Sequence, residues 1–202
     1  MIASSAPFVI RLKAPAQLGD KVIVKDLIKG DVSTQANFLD MVLLKSTDGL
    51  PTYHMAHLVD DYLMRTTHVI RADEWFASLP LHIQLFETLG VNPPQYAHIS
   101  PLLKLDAETG NKRKLSKRHD PEANVQWFIE QGIPTDAIWE FLTNIIDPFF
   151  EEWQKNNPDK SYKDYVFHIE RMNTAGALFD MTKLLFVSKE WLAKIDKETF
   201  YQ

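Results

Sequence analysis

Between residues 38 and 105 the hydrophobic period switches back and forth, and this alternation constrains the fold more than any other feature of the chain. Asp40-Met41-Val42-Leu43-Leu44-Lys45 is a short apolar run of the kind found in fully buried, often parallel, strands. Ser46-Thr47-Asp48-Gly49-Leu50-Pro51 breaks it, and Pro51 sits where a helix can begin. Over residues 52–64 the period becomes helical, with Tyr53, His57, Asp60 and Met64 on one face. Residues 67–71 read as a further strand. Residues 73–89 read as a second helix, with Trp75, Phe76, Leu79, Ile83 and Phe86 on its apolar side. Pro93-Pro94 ends that helix, and residues 96–99 and 102–105 read as extended. Strands alternating with helices predict an α/β unit with a parallel sheet. Ligands of such sheets bind beyond the carboxyl ends of the strands, which places Lys45, Arg71 and the residues after His98 at one edge.

The flanks differ from this middle. Phe8-Val9-Ile10-Arg11-Leu12-Lys13 and Lys21-Val22-Ile23-Val24-Lys25-Asp26-Leu27-Ile28 read as two strands about Gly19-Asp20, a β-hairpin or part of a small sheet. After residue 118 the pattern is helical. Pro121 opens a helix ended by Gly132, and Pro134-Thr135-Asp136 opens another; further helical patches cover 149–155, 162–167 and 188–195. Three segments follow: 1–37, 38–118 and 119–202. With 45% hydrophobic and 24% charged residues the chain has the composition of a globular protein. It has no cysteine, no run of 18 apolar residues and no secretory-type start, so the expectation is a cytoplasmic protein without membrane contact.

The chemistry concentrates in one basic run. Five of the eight residues from Asn111 to Arg118 are cationic, in a chain of net charge −5. A local excess of cations in an acidic protein suits an anion site, although a basic run on its own is usually a solvated turn. Three readings compete in the middle segment. His54, His57, Asp60 and Asp61 have ligand-like spacing on one helix, but a helix turning polar residues toward a cleft explains them better. Neither G-x-x-x-x-G-K nor G-x-G-x-x-G occurs, which removes the commonest phosphate-loop signatures. The third reading joins Tyr53, Arg71 and the basic loop in one cleft for a carboxylate and a nucleotide.

At these residues the sequence resembles the glutamyl-tRNA synthetases. The stretch from Asp48-Gly49-Leu50-Pro51-Thr52-Tyr53-His54 to Asp61 is similar to their second-half signature. His68-Val69-Ile70-Arg71-Ala72-Asp73-Glu74-Trp75, with His82 following, is similar to the next block. Lys114-Leu115-Ser116-Lys117-Arg118 resembles the glutamyl form of the class I KMSKS loop. The order and spacing agree from about Pro7 to about Leu192.

The resemblance implies the second half of a class I Rossmann-type sheet, preceded by a β-hairpin remnant of the insertion that meets the tRNA acceptor end and followed by a helical stem-contact region. It implies ATP-dependent activation of L-glutamate as an adenylate and transfer to tRNA(Glu), with ATP taken as its Mg2+ complex and no zinc. Lys117, Lys114 and Ser116 would be catalytic, and Lys114, Leu115, Ser116, Lys117 and Arg118 would hold ATP. Tyr53, His57 and Arg71 would hold the amino acid, and Glu74 and Trp75 would touch substrate or tRNA. These roles fit the charge developed on pyrophosphate and the fork that arginine offers a carboxylate.

Departures from the family pattern are His57 where asparagine is usual, Arg65 where glycine is common and Leu79 where threonine is frequent. None of the seven histidines lies in a HIGH motif, the family's other ATP-contacting element. The expectation is a chain holding only the second half of the catalytic core, with no turnover by these residues alone. The alternative is a shortened relative that binds nucleotide or a tRNA acceptor arm without catalysis.

Overall fold

In the computed structural model, which describes residues 7–195, four strands come first: β1 (Ile10–Leu12), β2 (Lys21–Asp26), β3 (Gly30–Gln35) and β4 (Met41–Leu44). The expected pairing about Gly19-Asp20 does not form. β1 pairs antiparallel with β4, Leu12 opposite Met41, whereas β2 turns back on β3 with Asp26 opposite Gly30. The turn decides this: Asp26 Oδ1 accepts the N–H groups of Ile28 and Lys29 at 3.0 Å each, and Gly30 takes a φ of 72°. Glycine alone adopts that conformation without strain. β4 is therefore an antiparallel, half-buried strand, not the fully buried parallel strand that its apolar run suggested.

The strand–helix alternation follows as expected. Helix α1 (Tyr53–Leu63) leads to β5 (His68–Ala72), then a 3-10 turn at Asp73–Ser78, helix α2 (Leu79–Thr88) and β6 (Gln95–Ile99). β5 and β6 are parallel, with Arg71 opposite His98 near their carboxyl ends. The expected single helix over 73–89 is split. Pro80 has no N–H to return to the carbonyl one turn back, so a tight turn precedes the α-helix. Leu58, Leu81, Leu85 and Phe86 form one core with Leu12, and Leu79, Tyr96 and Val24 form another.

α1 closes with a hydrogen-bond pattern in which Arg65 N–H donates to the Tyr62 carbonyl and Thr66 N–H to that of Asp61. α2 closes the same way, with Gly90 to Glu87 and Val91 to Phe86. This closure needs a left-handed residue just beyond the helix. Gly90 meets it freely at φ 68°, but Arg65 is forced to φ 56°. The glycine usual in the family is thus explained by backbone conformation. Arg65→Gly is expected to raise stability by about 1 kcal/mol, seen as a higher urea midpoint.

The chain divides into two compact units, residues 1–99 and 100–202. This division falls inside the expected segment 38–118. The second unit opens with β7 (Leu103–Leu105) and β8 (Lys112–Lys114), an antiparallel pair. The basic stretch is therefore partly a strand and not all loop. Helices α3 (Val125–Glu130), α4 (Thr135–Ile146), α5 (Phe150–Asn156) and α6 (Met181–Lys194) follow. Phe128, Ala137, Phe141, Phe179, Leu184 and Val187 make their core. The expected helix from Pro121 reduces to a 3-10 turn before α3, and the patch at 162–167 to a single 3-10 turn. α6 starts earlier than its apolar pattern suggested, because Asp180 caps it by accepting the N–H groups of Thr182 and Lys183. Among the described residues no helix is long and apolar enough to cross a membrane.

Candidate functional site

In the first unit, Arg71 is the centre of a cluster built from β2, α1, β5, α2 and β6. Its Nε–H donates to His98 Nε2 at 2.9 Å, Nη1 lies 2.9 Å from His82 Nδ1, and Nη2 donates to the Trp75 carbonyl at 3.2 Å. The guanidinium also lies 5.2 Å from the centre of the Tyr96 ring. His98 is fully buried and its Nδ1 lies 2.6 Å from Asp26 Oδ2, which also accepts the His98 backbone N–H. His82, likewise fully buried, has its Nε2 2.9 Å from His54 Nδ1. All three partners of the guanidinium are uncharged acceptors.

The aromatic wall beside Arg71 is made by Tyr53 and Trp75, with ring centres 4.6 Å apart and both rings partly exposed. His57 stacks on Tyr53 at 6.0 Å, but both its nitrogens are engaged: Nδ1 with Asp61 at 2.7 Å and Nε2 with the Tyr96 hydroxyl at 3.0 Å. Tyr53, His57, Arg71 and Trp75 are thus neighbours in the first unit. Glu74 is exposed on the 3-10 turn. Of the four α1 residues with ligand-like spacing, His57 pairs with Asp61 and His54 with His82. Among the described residues no group of three or more such side chains is arranged to hold an ion.

Burial pushes all four histidines of the cluster below their ordinary 6.5, His82 furthest, to about 2, with the charges of His57 and Arg71 adding to the effect. The fold favours their neutral form, whereas the unfolded chain takes up protons at the ordinary value. Below pH 6.5 the unfolded chain therefore binds more protons, so the stability of the first unit is full above that pH and falls as pH drops. Asp26 and Asp61 pull His98 and His57 the other way without reversing the direction. Urea unfolding followed at the indole of Trp75, the single tryptophan of this unit, is expected to show a lower midpoint at about pH 5 than at about pH 7.5.

In the second unit, the basic run is fastened to one buried carboxylate. Asp120, 2% exposed, accepts both terminal nitrogens of Arg113 at 2.6 and 2.7 Å, the Ser116 N–H at 2.9 Å, and has Lys104 at 3.4 Å. Lys104 also pairs with the buried Glu122. Arg113 reaches Asp106, whose side chain caps the hairpin turn by accepting from Glu108 and Thr109. These bonds hold the Asp120 carboxyl well below the usual carboxylate range. The Ser116 hydroxyl accepts the Arg118 N–H, and the Ser116 carbonyl accepts those of His119 and Asp120, which closes a tight turn. Arg113 is therefore a structural cation. Lys114, Lys117 and Arg118 are exposed around the turn, Leu115 and Ser116 half-buried within it, and the Leu115 N–H donates to the Leu102 carbonyl. Among the described residues, neither Lys117 nor Arg118 makes an ion pair.

His82, His98, Asp26 and Asp120 carry this geometry without having been singled out as site residues from the sequence. The two histidines had a visible signal, since each stands among mainly apolar neighbours, Leu81 and Ile83 beside His82, Ala97 and Ile99 beside His98. The two aspartates had none.

Comparison with known proteins agrees with this picture. A sequence model described as tRNA synthetases class I (E and Q), catalytic domain, matches residues 1–184. Glutamate–tRNA ligase of Clostridium perfringens (strain 13 / Type A) is 50% identical over 200 residues, covering 99% of this chain and 36% of that protein. The ligase of Sorangium cellulosum is 48% identical over 212 residues, covering 99% and 37%. A crystal structure of a glutamate tRNA ligase from Elizabethkingia meningosepticum in complex with its amino acid superposes with a TM-score of 0.77 at 31% identity, covering 96% of this chain and 40% of that one. The chain spans a little over a third of the length of these relatives. It is an α/β chain that belongs to the catalytic-domain family of the class I glutamyl and glutaminyl tRNA synthetases.

Proposed function

We propose that this chain supplies part of the catalytic core of a glutamate–tRNA ligase, which activates L-glutamate with ATP and transfers it to tRNA(Glu). The observation that carries the reading is Arg71: a guanidinium fixed in place by two imidazoles and a carbonyl and, among the described residues, paired with no carboxylate. A carboxylate anchor would have cancelled its positive charge. Neutral anchors keep it for an incoming carboxylate, which arginine binds in a bidentate fork. Tyr53, at the start of α1, offers a hydroxyl to the same ligand, and the Trp75 ring shields one side of it. His57 shapes the pocket through its bonds to Asp61 and Tyr96.

The second sub-site is the turn at Lys114 to Arg118. Lys117 would neutralise charge developing on pyrophosphate, with Lys114 and Arg118 beside it and the Leu115–Ser116 backbone shaping the turn around ATP, taken as its magnesium complex. Residues 1–37 would be the end of the insertion that meets the tRNA acceptor arm, 38–118 the second half of the nucleotide-binding domain and 119–202 the stem-contact region. Glu74 and Trp75 would lie where substrate or the tRNA end arrives. The 202 residues hold no HIGH motif, so taken alone they are expected to bind substrates without turnover. A shortened relative that only binds nucleotide or an acceptor arm would use the same two sub-sites.

Titration calorimetry with L-glutamate tests the carboxylate sub-site. Arg71→Lys, which keeps the charge but loses the fork, is expected to weaken binding about tenfold. Equal affinity of the parent for L-glutamine would contradict the reading.

A further inference from the structure

We propose that His82 and His98 are positioning residues that hold Arg71 as neutral hydrogen-bond acceptors in opposite tautomers, with Asp26 fixing the tautomer of His98. The inference rests on the reading of Arg71 as the carboxylate anchor and adds what makes that anchor work. Arginine has five N–H groups and no acceptor, so each imidazole nitrogen facing it must be bare. The Nε–H to His98 Nε2 contact leaves the His98 proton on Nδ1, where it donates to Asp26 at 2.6 Å. The Nη1 contact to His82 Nδ1 leaves the His82 proton on Nε2, where it donates to His54 Nδ1 at 2.9 Å. Two chains of donation therefore leave Arg71, one ending on the β2 turn and the other on α1.

This arrangement uses three of the five N–H groups and leaves one on each terminal nitrogen. Those two are what a bidentate carboxylate needs. An imidazolium at either position would point a proton at the guanidinium and put two cations in contact. Burial and the Arg71 charge favour the neutral form of both histidines, against the pull of Asp26 and Asp73 on His98. His82 has His54 and His57 from α1, Arg71 from β5 and His98 from β6 around it. His98 meets Asp26 from β2, Arg71 from β5 and Asp73 from the 3-10 turn, and is covered by the rings of Phe76 and Tyr96. Asp26 stands one imidazole away from the guanidinium, so it orients His98 without cancelling the charge of Arg71.

Proton–nitrogen correlation spectra of the imidazoles, recorded on the whole chain near neutral pH, read the tautomers directly. His98 is expected to carry its proton on Nδ1 and His82 on Nε2, with neither an imidazolium at neutral pH. The reverse tautomer or an imidazolium at either residue overturns the proposal, whether or not glutamate binds. A second arm uses affinity for L-glutamate. Glutamine offers one donor and one acceptor as neutral imidazole does, so His82→Gln and His98→Gln are expected to stay within about threefold of the parent, whereas the leucine variants lose about tenfold or more. Folded leucine variants that bind as the parent does overturn the positioning role. A parent chain with the expected tautomers that binds no glutamate at millimolar concentration would sink the carboxylate reading and leave the held arginine standing.

Discussion

With these residues grafted in place of the matching region of the clostridial ligase, Lys117→Ala is expected to slow glutamate-dependent exchange of pyrophosphate into ATP by about 10²–10³-fold. The size of the effect follows from how the turn is built. Arg113 and Lys104 are consumed by Asp106, Asp120 and Glu122, so their charges are spent on holding the turn together. Lys117 projects from the same turn, exposed and, among the described residues, without an ion pair. The Ser116 N–H is tied to Asp120 and its hydroxyl to Arg118 N–H, so the base of the turn is fixed while its cation is free to act. A donor held in advance near developing charge acts chiefly in the transition state, so the loss should fall on kcat more than on KM for ATP. Arg113→Ala should behave differently, lowering the thermal midpoint of the second unit. A Lys117→Ala graft as fast as its parent would remove Lys117 from the chemistry.

Asp26→Asn is expected to destabilise the first unit by about 3 kcal/mol. Asp26 is 1% exposed, and its two oxygens accept four N–H groups: Ile28 and Lys29 on one, the His98 backbone and ring on the other. The amide nitrogen of asparagine must face one of those pairs, and no rotation relieves both. If His98 answers by moving its proton to Nε2, that proton meets the Nε–H of Arg71. The defect therefore spreads from the β2 turn to the pocket. Urea unfolding followed at Trp75 measures it, and an unchanged midpoint would show that the four acceptor bonds contribute nothing net.

The parts of the molecule legible in the sequence are those whose determinants are local. The helical period of residues 52–64 and the strand at 67–71 became α1 and β5, and Tyr53 and Arg71 came together beside Trp75. The β1 partner was not legible, because pairing Leu12 with Met41 depends on a register that no neighbouring residue announces. β3 was missed because Gly30-Asp31-Val32-Ser33-Thr34-Gln35 has too little apolar alternation to stand out, and its strand forms on the template of β2. Charge counting overrates the basic run, because Arg113, one of its five cations, is tied to the buried Asp120. Asp26 and His98, far apart in sequence, meet only once β2 lies against β6. Buried polar anchors of this kind satisfy long-range geometry, and composition carries no trace of the pairing.

The most direct test of the central reading is the grafted clostridial ligase itself. With these residues replacing the matching region, the account predicts glutamate-dependent exchange of pyrophosphate into ATP, lost without glutamate and not supported by glutamine. A folded graft that binds ATP yet exchanges no pyrophosphate with glutamate, or exchanges equally well with glutamine, would contradict it.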